Sequence, residues 1–145
     1  MNLYLVRGLP GSAKTTVAQH FGCLHLEMDM FFMQDGKYNF DPSRIKEAAT
    51  TCQYLCREGL DEGMDIVVSN TFSRIWEMEH YIALAKEFEA NLKVYVCKGD
   101  FKNTHDIPED TIETMKGRWE DYEGEIILGT DDLNRIYHHA DFKLF

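Results

Sequence analysis

Leu3-Tyr4-Leu5-Val6-Arg7-Gly8-Leu9-Pro10-Gly11-Ser12-Ala13-Lys14-Thr15-Thr16 places an apolar run, a glycine-rich turn and a lysine-threonine pair in succession. The apolar run reads as a buried first strand. A helix is expected from Lys14 to about Phe21. Between them Gly8, Pro10, Gly11, Ser12 and Ala13 are small or turn-forming, so successive backbone N–H groups can face one anion. The helix N-terminus adds partial positive charge. Lys14 brings a full charge to outer phosphates, Thr15 brings a hydroxyl to Mg²⁺, and Thr16 follows in the first turn. The stretch therefore predicts a phosphate-binding loop for ATP and Mg²⁺, rather than a turn that only joins strand to helix. Ala13 departs from the pattern, because glycine normally precedes the lysine. A methyl group there disfavours positive φ, and the loop is expected to tolerate it with altered affinity.

Outward from that loop, strand and helix alternate. Leu24 to Met28 reads as a weaker strand, and Asp29 to Phe40 as loop or short helix with a turn at Asp35-Gly36. Asp41-Pro42 opens a helix to about Gly59, with Ile45, Ala48, Ala49, Cys52, Leu55 and Cys56 as its apolar stripe. Gly63 breaks the chain, and Met64 to Ser69 is the strongest strand. Arg74 to about Ala90 is predicted helical, with Trp76, Tyr81, Leu84, Ala85 and Phe88 inward. Leu92 to Cys97 is another strand. Pro108 starts a helix with Glu109 and Asp110 in its first turn and Ile112, Met115 and Trp119 on its buried side. Strands separated by helices predict an α/β fold, a mostly parallel central sheet flanked by helices in three layers. Ligands of such folds sit at the carboxyl ends of the strands.

The 145 residues fit one domain, 1–145, with a lid near 98–108 and a tail near 125–145. No run approaches the length of a membrane span, and the N-terminal apolar run is too short for a signal peptide. Cys23, Cys52, Cys56 and Cys97 form no metal spacing and read as buried free thiols, which points to the cytoplasm. His138-His139 reads as a plain tail, because adjacent side chains diverge. A net charge of -10 argues against tight non-specific binding to duplex nucleic acid, although one cleft can still be basic.

Further residues carry a resemblance. Arg7-Gly8-Leu9-Pro10-Gly11-Ser12, an acid after the second strand, Tyr38-Asn39-Phe40-Asp41-Pro42, Ser69-Asn70-Thr71, Trp76-Glu77-Met78 with Tyr81, and Asn103-Thr104-His105 leading to Pro108 and Met115 occur in this order. Over most of residues 3 to 122 the chain resembles the P-loop kinase domain of bacteriophage polynucleotide kinases and related zeta-toxin-like ATP-binding proteins. The resemblance implies transfer of the ATP γ-phosphoryl group to a hydroxyl. It implies that Asp29 accepts the hydroxyl proton. Neither Ser69 nor Asn70 is acidic where related enzymes often carry a carboxylate, which leaves Thr15 and Asp29 beside the metal. Asn70 and Thr71 read either as substrate contacts or as a polar strand end making local bonds. Related kinases place arginines in the lid; here Lys102 stands roughly in that place, with Arg118 the other cation for the substrate side. The stripe Phe31, Phe32, Tyr38 and Phe40 reads as core or lid packing, on which a base could also stack.

Three functions follow. The first is a kinase acting on nucleic acid, at a 5′-hydroxyl or at a hydroxymethyl-pyrimidine in phage-type DNA. It predicts a basic groove leading to Asp29, drawn from Lys37, Arg44, Lys46, Lys102 and Arg118. The second is a small-molecule nucleoside or nucleotide kinase, which predicts a closed pocket there. The third is an ATP-binding regulatory module without turnover.

Overall fold

The computed structural model describes residues 1–101 and 106–138. Alternation with period two along the first strand, β1 (Asn2–Gly8), sets the layers. Leu3 and Leu5 face one side of the sheet and Tyr4 and Val6 the other, all buried. A strand apolar on both faces belongs at the centre of a covered sheet. The chain continues through α1 (Lys14–Gln19), β2 (Leu24–Leu26) and a 3₁₀ turn, Met28–Phe32. A small hairpin follows, β3 (Met33–Gln34) and β4 (Lys37–Tyr38), then the long α2 (Ile45–Asp61). The second half reads β5 (Ile66–Asn70), α3 (Trp76–Glu87), β6 (Asn91–Cys97), α4 (Glu109–Gly117), β7 (Ile126–Leu128) and α5 (Thr130–His138).

Among the described residues the main sheet has the order β2-β5-β1-β6-β7, with every pairing parallel. Cys52, Cys56 and Leu60 of α2 and Met78, Tyr81, Leu84 and Ala85 of α3 pack on the Leu3–Leu5 face. Val17 and Ala18 of α1 and Leu133 and Ile136 of α5 pack on the Tyr4–Val6 face. This is the expected three-layer α/β arrangement. The exit of β1 leads to one sheet edge and that of β6 to the other, so a crevice opens at their carboxyl ends. None of the described helices is long and apolar enough to cross a membrane.

Several expectations need correction. Trp76 is not inward: it is 64% exposed, because the first turn of α3 overhangs the crevice rather than the sheet. Ile45 and Leu55 stand at the rim of the α2 stripe and are exposed, leaving Ala48, Cys52, Cys56 and Leu60 to make the contact. Trp119 lies beyond α4, partly buried over the Arg7 guanidinium. The short helix and the Asp35-Gly36 turn read after Asp29 are present, as a 3₁₀ turn and as a two-residue turn with both residues at positive φ, but the turn also closes the unforeseen hairpin of β3 and β4. Asp41 caps as expected, accepting from the Ser43 N–H at 3.0 Å, but a 3₁₀ turn over Pro42–Arg44 precedes α2. Beyond residue 125 lie the strand β7 and the helix α5. Lys102, Asn103, Thr104, His105 and His139 lie outside the described residues.

Candidate active site

The phosphate loop has the geometry that its residues demand. β1 ends at Gly8, where a Cβ would run into the Ser12 side chain and sit 3.1 Å from the Cys97 carbonyl oxygen. Gly11 has φ 83°, and Ala13 has φ 76° with ψ 17°. The conflict anticipated at Ala13 is therefore present, a Cβ held in the left-handed region. α1 begins at the next residue, with Val17 N–H bonding to the Ala13 carbonyl at 3.0 Å. From the end of β6, the Phe101 N–H braces the loop on the Gly11 carbonyl at 2.7 Å. The Ser12 hydroxyl is buried and has no hydrogen-bond partner among the described residues.

Lys14 and Thr15 meet carboxylates here. Burial draws the Lys14 ammonium below its ordinary pKa, opposed by Asp29, Glu27 and the thiol of Cys97. Thr15 Oγ1 donates to Glu27 Oε2 at 3.0 Å, and Ser69 Oγ donates to the same oxygen at 2.8 Å. His25 Nε2 lies 2.8 Å from Ser69 Oγ and 3.4 Å from Glu27 Oε2. With the Ser69 proton turned to Glu27, its lone pairs accept Nε2–H, which sets the histidine tautomer. Burial pushes the Glu27 carboxyl up, but hydrogen bonds from His25, Ser69 and Thr15 outweigh it and hold the pKa below the usual value.

Glu27 is a cavity-lining carboxylate beside the phosphate loop that the sequence reading did not single out. A signal existed: His25 and Glu27 alternate with Leu24 and Leu26, so β2 turns two polar side chains to one face. Thr15, Glu27 and Asp29 all line one cavity, and their oxygens are the hard donors that Mg²⁺ takes. Among the described residues no three His, Cys, Asp or Glu side chains form a metal cage. A cation held here would therefore share its shell with phosphate oxygens and water.

The cavity measures about 1000 Å³ and runs from the phosphate loop to the far side of the crevice. Pro10, Gly11, Ala13, Lys14, Thr15 and Thr16 line one end. Asp29 lines the middle, and its Oδ1 accepts from the Tyr38 hydroxyl at 3.2 Å. Burial, then the Asp29 charge and this bond, push the Tyr38 phenol upward. Phe32, Tyr38, Phe40 and Trp76 form an aromatic wall, with Phe32 and Phe40 edge to face at 5.1 Å. Thr71 lines the cavity, as does Asn70, whose Oδ1 accepts from Met28 N–H at 2.8 Å and whose Nδ2 lies 3.9 Å from Cys52 Sγ. The Asn70 side chain is thus engaged in local bonds. Arg118, just past α4, reaches the cavity wall with Nε 2.9 Å from Ser73 Oγ. Arg74, not singled out from sequence, lines the same wall.

The expected basic groove is not assembled as drawn. Lys37, Arg44 and Lys46 do not line the cavity, and Arg44 instead pairs with Glu47 at 3.0 Å and lies over Phe31. Lys14, Arg74 and Arg118 are the cations that the cavity wall holds among the described residues.

The sequence profile of the AAA domain family matches residues 3–120. An uncharacterised protein of Pasteurella multocida is 29% identical over 131 residues, 78% of this chain and 73% of that protein. Among solved structures, a sugar kinase from Janibacter superposes with a TM-score of 0.67 at 14% identity, covering 97% of this chain and 92% of that one. A chain of the Pnkp1/Rnl/Hen1 RNA repair complex superposes with a TM-score of 0.55 at 17% identity, covering 98% of this chain and 46% of that one. At such identities the likeness is one of fold, and the fold is that of P-loop kinases.

Proposed function

This chain belongs to the AAA domain family, and from that premise we propose that it is an ATP-dependent kinase whose acceptor is a hydroxyl on nucleic acid, either a polynucleotide 5′-hydroxyl or a hydroxymethyl-pyrimidine in phage-type DNA. The observation that carries the reading is that Lys14 of the phosphate loop and Asp29 line one cavity, so a phosphate donor and an acceptor can meet there. The resemblance to phage polynucleotide kinases and the likeness to an RNA repair complex support the acceptor class.

Each residue has a role in this reading. Backbone N–H groups of the loop and the Lys14 ammonium hold the triphosphate. The acceptor hydroxyl gives its proton to the Asp29 carboxylate as its oxygen bonds to the γ-phosphorus and the bond to the β-phosphate oxygen breaks. Bound Mg²⁺ supplies charge neutralisation, with the Thr15 hydroxyl as a ligand and Asp29 nearby. Arg118 and Arg74 carry charge to the acceptor side, and Lys102 is the lid cation. Thr71 faces the acceptor.

A second reading, a small-molecule nucleoside kinase, is favoured by two features: Lys37, Arg44 and Lys46 stay out of the cavity, and the net charge is -10. A transfer screen with γ-labelled ATP separates the two. Label should appear in 5′-hydroxyl oligonucleotides or hydroxymethyl-base DNA; label in free nucleosides alone would select the second reading. Asp29→Asn should lower turnover and spare ATP binding, and unchanged turnover would remove Asp29 as the base.

A further inference from the structure

We propose that Glu27, at the tip of β2, is the carboxylate that completes the cation site of the phosphate loop, in place of an acid at the tip of β5. The inference rests on the nucleotide-binding reading above and goes beyond it by assigning the metal's acid to a different strand. P-loop folds pair the loop hydroxyl with a separate acid that helps hold Mg²⁺. At the tip of β5 this chain has Ser69 and Asn70, and the Asn70 side chain is spent on Met28 N–H and Cys52 Sγ. Glu27, one strand further out, brings a carboxylate to Thr15 instead, with its Oε2 3.0 Å from Thr15 Oγ1.

Two features of the contact point to a ligand rather than a plain surface bond. The Thr15 proton is directed to Glu27, which leaves the hydroxyl's lone pairs to face a cation. The three groups that hold Glu27, namely Thr15, Ser69 and His25, all meet Oε2. Among the described residues Oε1 accepts no hydrogen bond, although the Glu27 side chain is only 12% exposed and lines the cavity beside Lys14. A carboxylate oxygen that is sheltered but not sealed from solvent, and has no protein donor, is open to a hydrated divalent cation, for which it would be a hard ligand. Ser69 and His25 are then positioning residues that aim the carboxylate. Asp29, tied to Tyr38 instead, is left to take the acceptor's proton.

The test uses Mn²⁺ as the probe, followed by electron paramagnetic resonance in the presence of ATP, with ATP affinity measured separately in EDTA. Glu27→Gln should weaken Mn²⁺ binding in the ATP complex by about tenfold or more, while Asp29→Asn should change it by less than about threefold. ATP affinity of Glu27→Gln in EDTA should not fall, because a negative charge beside the phosphates has been removed. Wild-type Mn²⁺ affinity in Glu27→Gln, or an equal loss in Asp29→Asn, overturns the proposal. Should Glu27→Gln fail to fold, Glu27→Asp keeps the charge on a shorter arm and should weaken Mn²⁺ severalfold; no change there overturns the proposal equally. A wild-type protein that binds no ATP in EDTA or with metal overturns the nucleotide reading itself, an outcome distinct from a failure at Glu27.

Discussion

At Ala13 one methyl group sets two effects against each other. Its φ of 76° costs about 1 kcal/mol or more for a residue with a Cβ. Glycine would relieve that strain but add unfolded-chain freedom of about 0.4–1 kcal/mol. Ala13→Gly should therefore stabilise the protein modestly, by about 0.5 kcal/mol in denaturant titration. A clear loss of stability would show that the loop does not hold this conformation. Cys56 offers a second test, through pH. The side chain is fully buried, and burial pushes its thiol from 9.0 up to about 12. The unfolded chain loses that proton first, so it binds fewer protons than the folded chain in this window, and stability falls as pH rises from 9.0 towards about 12. Below pH 9.0 both states keep the proton and the effect vanishes. Melting temperatures of Cys56→Ala should decline less steeply across that window than those of wild type; parallel curves would mean that the thiol is hydrated in the folded state.

At the scale of elements, α2 shows how closely a helix must approach the sheet beneath the site. Gly59 lies in its last turns, where a Cβ would meet Ile66 Cδ1 at 2.6 Å and Leu24 Cδ2 at 3.2 Å. Helix propensity alone favours Gly59→Ala by about 1 kcal/mol. Overpacking costs about 1–3 kcal/mol, and Ile66 is fully buried, so its Cδ1 has little space into which to turn. The clash should win, and Gly59→Ala should lower the denaturation midpoint; a raised midpoint would mean that β2 and β5 yield easily. Elements of this kind were the legible part of the sequence. β1, β5 and β6 are dense apolar runs that no other element could bury, and the loop after β1 has a composition that few other structures require. Trp76 misled because helical period says which face of α3 is apolar, not where the helix projects past the sheet. Glu27 stayed hidden for a related reason. Its partners Thr15 and Ser69 are distant in sequence and meet it only once β2 lies beside β5, so its contacts are set by strand order.

On the scale of the whole molecule, a buried arginine joins the two ends of the cavity. Arg7 is fully buried, one residue before the phosphate loop. Its Nε donates to the Phe72 carbonyl at 3.1 Å, Nη2 to the Glu120 carbonyl at 2.7 Å and Nη1 to Glu125 Oε1 at 2.9 Å. The Trp119 ring covers it at 4.3 Å. Glu120 in turn ties to the loop after β5, through its N–H to the Ser73 carbonyl at 2.8 Å and its Oε1 to the Ile75 N–H at 2.9 Å. The strand that presents the phosphate loop is thereby fastened to the segments carrying Arg74 and Arg118. Such a pair contributes little over a well-packed apolar core, yet breaking it from one side is expensive. Glu125→Ala strands a guanidinium out of water and should cost about 3 kcal/mol or more. Glu125→Gln keeps an acceptor oxygen for Nη1 and should cost less, while Arg7→Met removes the buried charge and should be milder than Glu125→Ala. Urea midpoints of the three variants check this order. A Glu125→Ala protein as stable as wild type would mean that two carbonyls and an aromatic face suffice for Arg7, and the cavity walls would then owe their alignment to the sheet alone.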